Sequence, residues 1–529
     1  MRVVSNKKII KKLEELSINS QVHPQHYLLH KYWGRKPHNL INEYLKICTN
    51  EEDVILDPFM GSGGVVIESN KLNRVAIGVD INPMSTMIVN ETLKEIDLEK
   101  LKNTFNEILK KIPSEIKDIQ QVSKNGEICV VENAVWSGEK LIRVKLNYKG
   151  KSYRRNANKE DLKKIKESKK LLEKYKNEIT YPTNKIMKYV KRNQKETIDE
   201  LFTSRNLLIA GWFLKQFSEV KDKNISSTLK FIFTSALPNF SNMIPGDFDK
   251  VIGKSGWQIS KFWAPEVHAE KNVIISLQQR LDKFIKGKNE IDSIKTNTNY
   301  SVYNKSSHKL NMIQDNSIDF IFTDPPYGDS IAYLALSSFW NSWLRNKVDY
   351  SNEIIYDPYR NKKEEDYETR LVNSFSEMSR VLKKNKLLTM TFNNRHMKFW
   401  KIIMESCKSS GFELVNIKWV NQAVSSGTQG INRRNTLKGD FVYTFINTKK
   451  KNNLEISKIE GTEYIKETLE SHKVNSNFIT PAKLYESLIP KIINNSAYYD
   501  SSGKFLDVDN FMNKNFQYIQ KDKSYGWQI

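Results

Sequence analysis

The sequence predicts an α/β protein built on a doubly wound, mostly parallel sheet with an antiparallel finish. Three observations predict it. Short apolar runs at 54–56, 75–79 and 317–322 each end in an acidic residue or a tight turn. Helix-like segments alternate with these strand-like ones, the pattern of βα units. The last two strand-like segments, 413–420 and 440–447, follow one another with no helix between them.

Taken in order, Val54-Ile55-Leu56 reads as a first strand running into Asp57-Pro58-Phe59-Met60-Gly61-Ser62-Gly63-Gly64, a glycine-rich turn, and then a helix from Val65. Val75-Ala76-Ile77-Gly78-Val79 reads as a second strand ending in Asp80, and Asn82-Pro83 opens another helix with proline at its first turn. Residues 96–299 break the alternation. They are Lys-rich to about 200, with a small β patch at 128–131 and 141–148, and read as amphipathic helix at 205–240 and 270–287. Alternation resumes with Ser317–Phe322, which runs into Thr323-Asp324-Pro325-Pro326-Tyr327-Gly328. A helix carrying Met378 and Val381, a strand at 387–392 and a helix from His396 to about Gly411 precede the final strand pair. The expected layout is therefore a core in two parts, 1–95 and 300–450, an α+β insertion at 96–299, and a C-terminal extension at 451–529.

Composition excludes several classes. The chain has 529 residues, 39% of them hydrophobic and 11% aromatic, enough for a packed core. Its 84 Lys and Arg outweigh 61 Asp and Glu, for a net charge of +23, which favours a polyanionic partner over the alternative of a lysine-rich solvated surface. Cys48, Cys129 and Cys407 are far apart and form no CxxC pair, so a disulfide scaffold and a zinc ribbon are both excluded. The eight histidines form no metal-spaced cluster; His23 and His26 lack a third ligand, and no metal is expected. The N-terminus has no apolar signal region, and no apolar run approaches the roughly 18 residues of a membrane span. An intracellular, cytoplasmic protein is the expectation.

Two motifs carry chemistry. In the first, Gly61 and Gly63 let the backbone turn and approach a ligand, with a helix N-terminus behind them. Asp80 follows Asp57 by 23 residues, about the spacing at which a strand-end carboxylate reaches ribose hydroxyls. In the second, Pro325 and Pro326 cannot donate hydrogen bonds, so their carbonyls and the Asp324 carboxylate form an acceptor-rich turn. An exocyclic amine on a flipped base offers two N–H donors, one for Asp324 and one for the Pro325 carbonyl, with Tyr327 as a stacking face.

Together, DPFMGSGG, GVDINP and TDPPY resemble the S-adenosylmethionine-dependent amino-methyltransferases of the DNA N6-adenine and N4-cytosine family. The segment His30–Leu40, HKYWGRKPHNL, is similar to the motif that precedes the glycine loop there and closes the methionine end of the cofactor site. The resemblance spans about 25–95 and 300–450. It implies a Rossmann-like class I methyltransferase fold with a seven-stranded sheet. It implies Asp57, Phe59, Gly61, Gly63, Asp80, Ile81, Lys36 and Pro37 as cofactor-binding residues, and Asp324, Pro325, Pro326 and Tyr327 as the catalytic turn. The implied reaction is direct in-line transfer to adenine N6 in double-stranded DNA, in a bacterial or phage modification or defence system whose restriction protein, if any, is a separate chain. DNA cytosine-N4 methylation and RNA guanine-N2 methylation remain open. The 267 residues between Asp57 and Asp324 favour a DNA enzyme with its recognition region inserted there, and only 56 residues precede Asp57, too few for an upstream RNA-binding domain. Cytosine C5 chemistry needs a Cys nucleophile, usually after Pro; none of the three cysteines follows one.

Elsewhere the residues leave two readings each. Arg154-Arg155 and the lysines from Lys159 to Lys191, with Tyr148, Tyr153 and Tyr181 among them, either track phosphates or form a solvated face. Trp257, Phe262 and Trp263 either stack on bases or fill the core. Residues 329–333 and 337–340 are expected to wall the base pocket. The loop 424–439, with Arg433-Arg434, contacts DNA or is a plain surface hairpin. Thr203–Asn206 reads as helix capping and core packing.

Overall fold

The structure, a computed structural model, describes all residues except 1–5, 125, 193, 254–255, 258, 329–330, 422–438, 452–458 and 522–523. Asp329, Ser330 and nearly all of the 424–439 loop thus lie outside the described residues.

Two helices, α1 (Asn6–Glu15) and α2 (His38–Cys48), precede β1 (Val54–Asp57), α3 (Gly64–Lys71), β2 (Val75–Asp80) and α4 (Pro83–Leu93). Asn82 caps α4 by accepting from the Met84 amide at 3.1 Å, and Pro83 occupies the first turn, where its missing N–H costs nothing. The intervening stretch holds α5 (Leu98–Lys110), α6 (Ser114–Asp118), β3 (Gln121–Lys124), β4 (Glu127–Ser137), β5 (Lys140–Tyr148), β6 (Lys151–Asn156), α7 (Lys159–Tyr175), α8 (Ser204–Glu219), α9 (Lys223–Phe240), β7 (Gly246–Asp247), β8 (Ile252–Gly253), β9 (Val267–Lys271) and α10 (Val273–Asp292). The chain then runs through β10 (Tyr300–Asn304), β11 (Ile318–Thr323), α11 (Tyr333–Leu344), α12 (Glu364–Val381), β12 (Leu382–Phe392), α13 (Met397–Ser409), β13 (Phe412–Asn421) and β14 (Gly439–Asn447).

The main sheet is mixed and mostly parallel, in the order β10-β2-β1-β11-β12-β14-β13. β10, β2, β1, β11 and β12 run parallel, and β14 is antiparallel to both of its neighbours. Every residue of β11 is buried, as expected of a central parallel strand with both faces covered. Ile55 pairs with Phe320 and Leu56 with Ile321, so two strands more than 260 residues apart in sequence lie side by side.

The small β patch is larger than its sequence suggests. β3, β4, β5, β6 and β9 form a five-stranded antiparallel sheet. β6 is polar and half exposed, and β9 hides a carboxylate, so neither shows strand-like hydrophobicity. That carboxylate, Glu270, pairs with Arg205 of α8 at 2.8 Å, their side chains 2% and 4% exposed. Glu270 also accepts from the Trp136 indole at 2.7 Å and the Thr203 hydroxyl at 2.8 Å. Thr203 caps α8, as read from sequence; the ion pair behind it was not legible there.

Residues 462–528 add three helices (Thr462–Lys473, Pro481–Asn494, Val508–Asn515) and a small three-stranded sheet. Leu484, Leu488, Ile492 and Trp527 share one apolar core with Met390, Phe392 and Trp400. The tail thus packs directly against the second half of the main sheet. Among the described residues no helix is long and apolar enough to cross a membrane.

Removing one member of a buried ion pair leaves the other charge uncompensated, a cost of about 3–5 kcal/mol. Glu270→Ala is therefore expected to lower the chemical-denaturation midpoint sharply, and far more than Glu173→Ala on the exposed face of α7.

Candidate active site

Both motif turns lie at the carboxyl ends of adjacent parallel strands, where open α/β sheets place their ligand crevices. A cavity of about 1050 Å³, counting its open mouth, runs between them. Its lining includes Lys36, Asp57, Phe59, Gly61, Asp80, Ile81, Asp324 and Pro326, so most of the residues singled out from sequence meet in one place. Pro37, Gly63, Pro325 and Tyr327 are not part of that lining.

On the first turn, Asp80 accepts from the amides of Gly61 and Asn82, each at 2.8 Å. Burial raises its carboxyl to about 6, against the pull of those bonds. Gly61 has φ +53°, and a Cβ there would lie 3.1 Å from the Tyr32 ring, which stacks on Tyr333. Gly63, at φ +79°, faces the protein rather than the cavity: a Cβ would come within 2.1 Å of Val89 on α4. Asp57 accepts from the Phe59 amide at 3.1 Å and the Thr323 hydroxyl at 2.7 Å, and burial lifts its carboxyl to about 8. It stitches one turn to the other.

On the second turn, three groups converge on a single oxygen of Asp324. The Tyr327 hydroxyl donates to Oδ1 at 2.6 Å and the Thr391 hydroxyl at 2.7 Å, while Lys36 Nζ stands 3.4 Å away. Among the described residues Oδ2 takes no hydrogen bond, and neither does the Pro325 carbonyl. The Pro326 carbonyl is taken by the Tyr367 hydroxyl at 2.7 Å. Burial raises the Asp324 carboxyl above its ordinary range, with Lys36 acting against that rise. The Tyr327 ring packs edge-on against Phe392, with the Lys36 ammonium 4.8 Å from its centroid.

Lys36 was read from sequence as a cofactor residue; the structure places its ammonium against the Asp324–Tyr327 turn, and Pro37 at the N-terminus of α2. The residue beside it, Arg35, carries the more telling geometry. Its guanidinium lines the cavity, donates to the His30 carbonyl at 2.6 Å, and leaves Nε buried without a partner. It forms no ion pair among the described residues, and burial depresses it to about 10. Sequence reasoning passed over Arg35, Thr391 and Asp440. Only Arg35 had a signal, its place in the GRKP segment.

For the aromatic residues the sequence left open, the structure favours the core, and one expectation about the pocket wall is corrected. Trp257 and Phe262 do not face outward; they pack with Phe339 and Trp340 inside the largest core, so neither is free to stack on a base. Trp263 is half-buried beneath Arg192. Of the expected pocket wall, Ile331 and Tyr333 line the cavity, whereas Phe339 and Trp340 point away into that core.

Gly63→Ala combines a left-handed backbone, costing about 1–2 kcal/mol for a residue with a Cβ, with a steric clash. It should be destabilising by more than that. Adding Val89→Ala should recover part of the loss, read as a thermal midpoint between those of Gly63→Ala and the parent.

The sequence model of the DNA methylase family, the N6/N4 methyltransferases, matches residues 5–91 and 318–518. The match leaves out the intervening stretch and takes in most of the C-terminal tail. The chain is 23% identical over 337 residues to the type II methyltransferase M.MjaII of Methanocaldococcus jannaschii, covering 58% of this chain and 59% of that protein's length. It is 33% identical over 90 residues to the type II methyltransferase M.HpaI of Haemophilus parainfluenzae, 16% of this chain and 26% of that protein. It is 36% identical over 89 residues to the type II methyltransferase M.BamHI of Bacillus amyloliquefaciens, 16% and 20% of the two chains. With more than half of its residues inside the family match, and both motif turns opening on one cavity, this chain belongs to the N6/N4 DNA methylase family.

Proposed function

We propose that the protein methylates adenine N6 in double-stranded DNA, using S-adenosylmethionine and direct in-line transfer on a class I methyltransferase sheet. One observation carries the reading: among the described residues, neither Asp324 Oδ2 nor the Pro325 carbonyl on the same turn takes a hydrogen bond, and Asp324 lines the cavity with Gly61 and Asp80. Two neighbouring acceptors suit the two N–H donors of an exocyclic amine.

The residues present fit the cofactor. The Arg35 guanidinium, with its buried Nε lacking a partner among the described residues, matches a carboxylate such as that of the methionine moiety. Asp80 is set to accept from ribose hydroxyls, Ile81 and Phe59 supply apolar contact, and Gly61 keeps the backbone clear. Bound S-adenosylmethionine supplies an electrophilic methyl group on its sulfonium. Asp324 and the Pro325 carbonyl hold the amine so that its lone pair turns out of the ring and toward the cavity, and Asp324 takes up the proton released as the N–C bond forms. Orientation and fixed acceptors supply the acceleration. The 96–299 stretch is the proposed target-recognition region, where the exposed Lys163, Lys166, Lys169 and Lys170 of α7 suit backbone phosphates.

The test is mass spectrometry of nucleosides after incubation with labelled S-adenosylmethionine and either unmethylated DNA or total RNA. Labelled N6-methyldeoxyadenosine is expected. N4-methyldeoxycytidine would correct the base, and label confined to RNA would overturn the DNA reading. Asp324→Ala should reduce transfer at least about 100-fold with cofactor affinity nearly unchanged, whereas Asp80→Ala should weaken cofactor binding in calorimetry. The pH dependence has a definite sign. The ionised Asp80 carboxylate accepts from ribose hydroxyls, so cofactor affinity should fall as pH drops through about 6. Asp80→Asn should flatten that dependence.

A further inference from the structure

Two charged side chains behind the catalytic turn have no place in the reading above beyond contact with Asp324. The Lys36 and Asp440 side chains are only 11% and 10% exposed. Lys36 Nζ donates to the Tyr327 hydroxyl at 2.6 Å and to Asp440 Oδ2 at 3.0 Å, and stands 3.4 Å from Asp324 Oδ1. Asp440 is the second residue of β14, which pairs with β12, the strand that carries Thr391.

We infer that Lys36 and Asp440 are a positioning pair that fixes the Asp324 carboxylate, keeping Oδ1 engaged and Oδ2 turned to the target amine. The inference rests on the amino-transfer reading for its purpose, but its geometry is independent of it. An ammonium can only donate. With Lys36 donating to its oxygen, the Tyr327 hydroxyl has its own proton left to direct at Asp324, and it does so at 2.6 Å. The Thr391 hydroxyl arrives at the same Oδ1. Rotation of the carboxylate about Cβ–Cγ would break these contacts together, so the two oxygens, equivalent in a free aspartate, become distinct. Asp440 keeps the ammonium from closing on Asp324: Lys36 is nearer to Asp440, and its charge is shared between two carboxylates. Without Asp440, the cation would settle on Asp324 and compete with the incoming amine.

The charged and titratable groups facing Asp324 come from five places. They are Lys36 ahead of α2, Asp57 at the end of β1, Tyr327 on its own turn, Tyr333 on α11 and Asp440 on β14. Lys36 favours the ionised carboxylate, and Asp440 disfavours it. Removing the two must therefore move Asp324 in opposite directions, a signature that general loosening of the site does not produce.

The experiment uses the full chain labelled with 13C-carboxyl aspartate, with the Asp324 resonance assigned by its loss in Asp324→Asn. Lys36→Met should raise the titration midpoint of Asp324 by about one to three pH units, the usual effect of losing an adjacent opposite charge. The near-isosteric Asp440→Asn should lower it. The acid limb of kcat should move the same way in each variant, with cofactor affinity within twofold of the parent. Unchanged midpoints, or shifts of the same sign, would overturn the pair's role. If the opposed shifts appear but the parent labels no DNA, the pair stands and the methyl-transfer reading falls. If the parent labels DNA and the shifts are absent, the pair alone falls.

Discussion

The site depends on one constraint, the parallel pairing of β1 with β11. Each strand ends in a motif turn, and neither turn is of use without the other. The pairing brings together segments more than 260 residues apart, and the Asp57–Thr323 hydrogen bond at 2.7 Å closes it at the functional end. Thr323 immediately precedes Asp324, so the contact reaches the Asp324–Tyr327 turn through a single peptide unit. The carboxyl of Asp57 is driven to about 8 by burial, so near neutral pH it is mostly uncharged. A neutral carboxyl donates as well as accepts, and its place between the two turns adds no full negative charge beside Asp324 and Asp80.

The long stretch between the turns is not an appendage that could swing freely. Trp33, in the segment that delivers Arg35 and Lys36, lies 4.8 Å from Trp257 and 5.3 Å from Trp340, ring to ring. Trp257 comes from the intervening stretch and Trp340 from α11, which follows the catalytic turn. Aromatic contacts of this kind are worth about 0.5–1.5 kcal/mol each beyond the area they bury. Their larger consequence is geometric. Gly34, at φ +69° with the Tyr333 hydroxyl 2.9 Å from where a Cβ would be, lets this segment turn close to Tyr333, and Arg35 and Lys36 after it line the cavity. The same aromatic residues that look like base-stacking candidates in the sequence thus brace the segment that supplies the site's cations.

How much of this was legible in the sequence follows from how local each signal is. The strand–turn–helix at 54–71 and the DPPY turn declare themselves because glycine and proline restrict or free the backbone where they stand, whatever surrounds them. The mixed sheet follows from alternation. β9 was invisible because its buried Glu270 is tolerable only opposite Arg205, and a pairing 65 residues away leaves no trace in a short window. Trp257 and Phe262 were ambiguous because hydrophobicity does not say which face an aromatic presents. Asp440 had no signal at all: its role comes from where Lys36 ends up, and that is fixed by packing around Trp33. The C-terminal tail read as a charged extension because its apolar residues are spaced along helices whose partner face lies on α13 and β12.

On the proposed reading, the charges around the Asp324–Tyr327 turn would also bear on which bases the site accepts. Asp324 Oδ2 and the Pro325 carbonyl are acceptors, and the donors nearby are spent on Oδ1, on Asp440 and on the Pro326 carbonyl. A base edge bearing a carbonyl where an amine should be would set oxygen against oxygen at these two acceptors. Leaving buried polar groups unsatisfied costs about 1–3 kcal/mol each, and more when one is charged. Two such mismatches amount to a discrimination of several powers of ten, the kind available to a site that reads hydrogen-bonding groups rather than shape. On the amine-transfer reading proposed above, the arrangement would disfavour the keto edges of thymine and guanine O6. On that reading an exocyclic amine is what the two acceptors suit, and the choice among amine-bearing bases falls to the rest of the cavity lining, Ile331 and Tyr333 included.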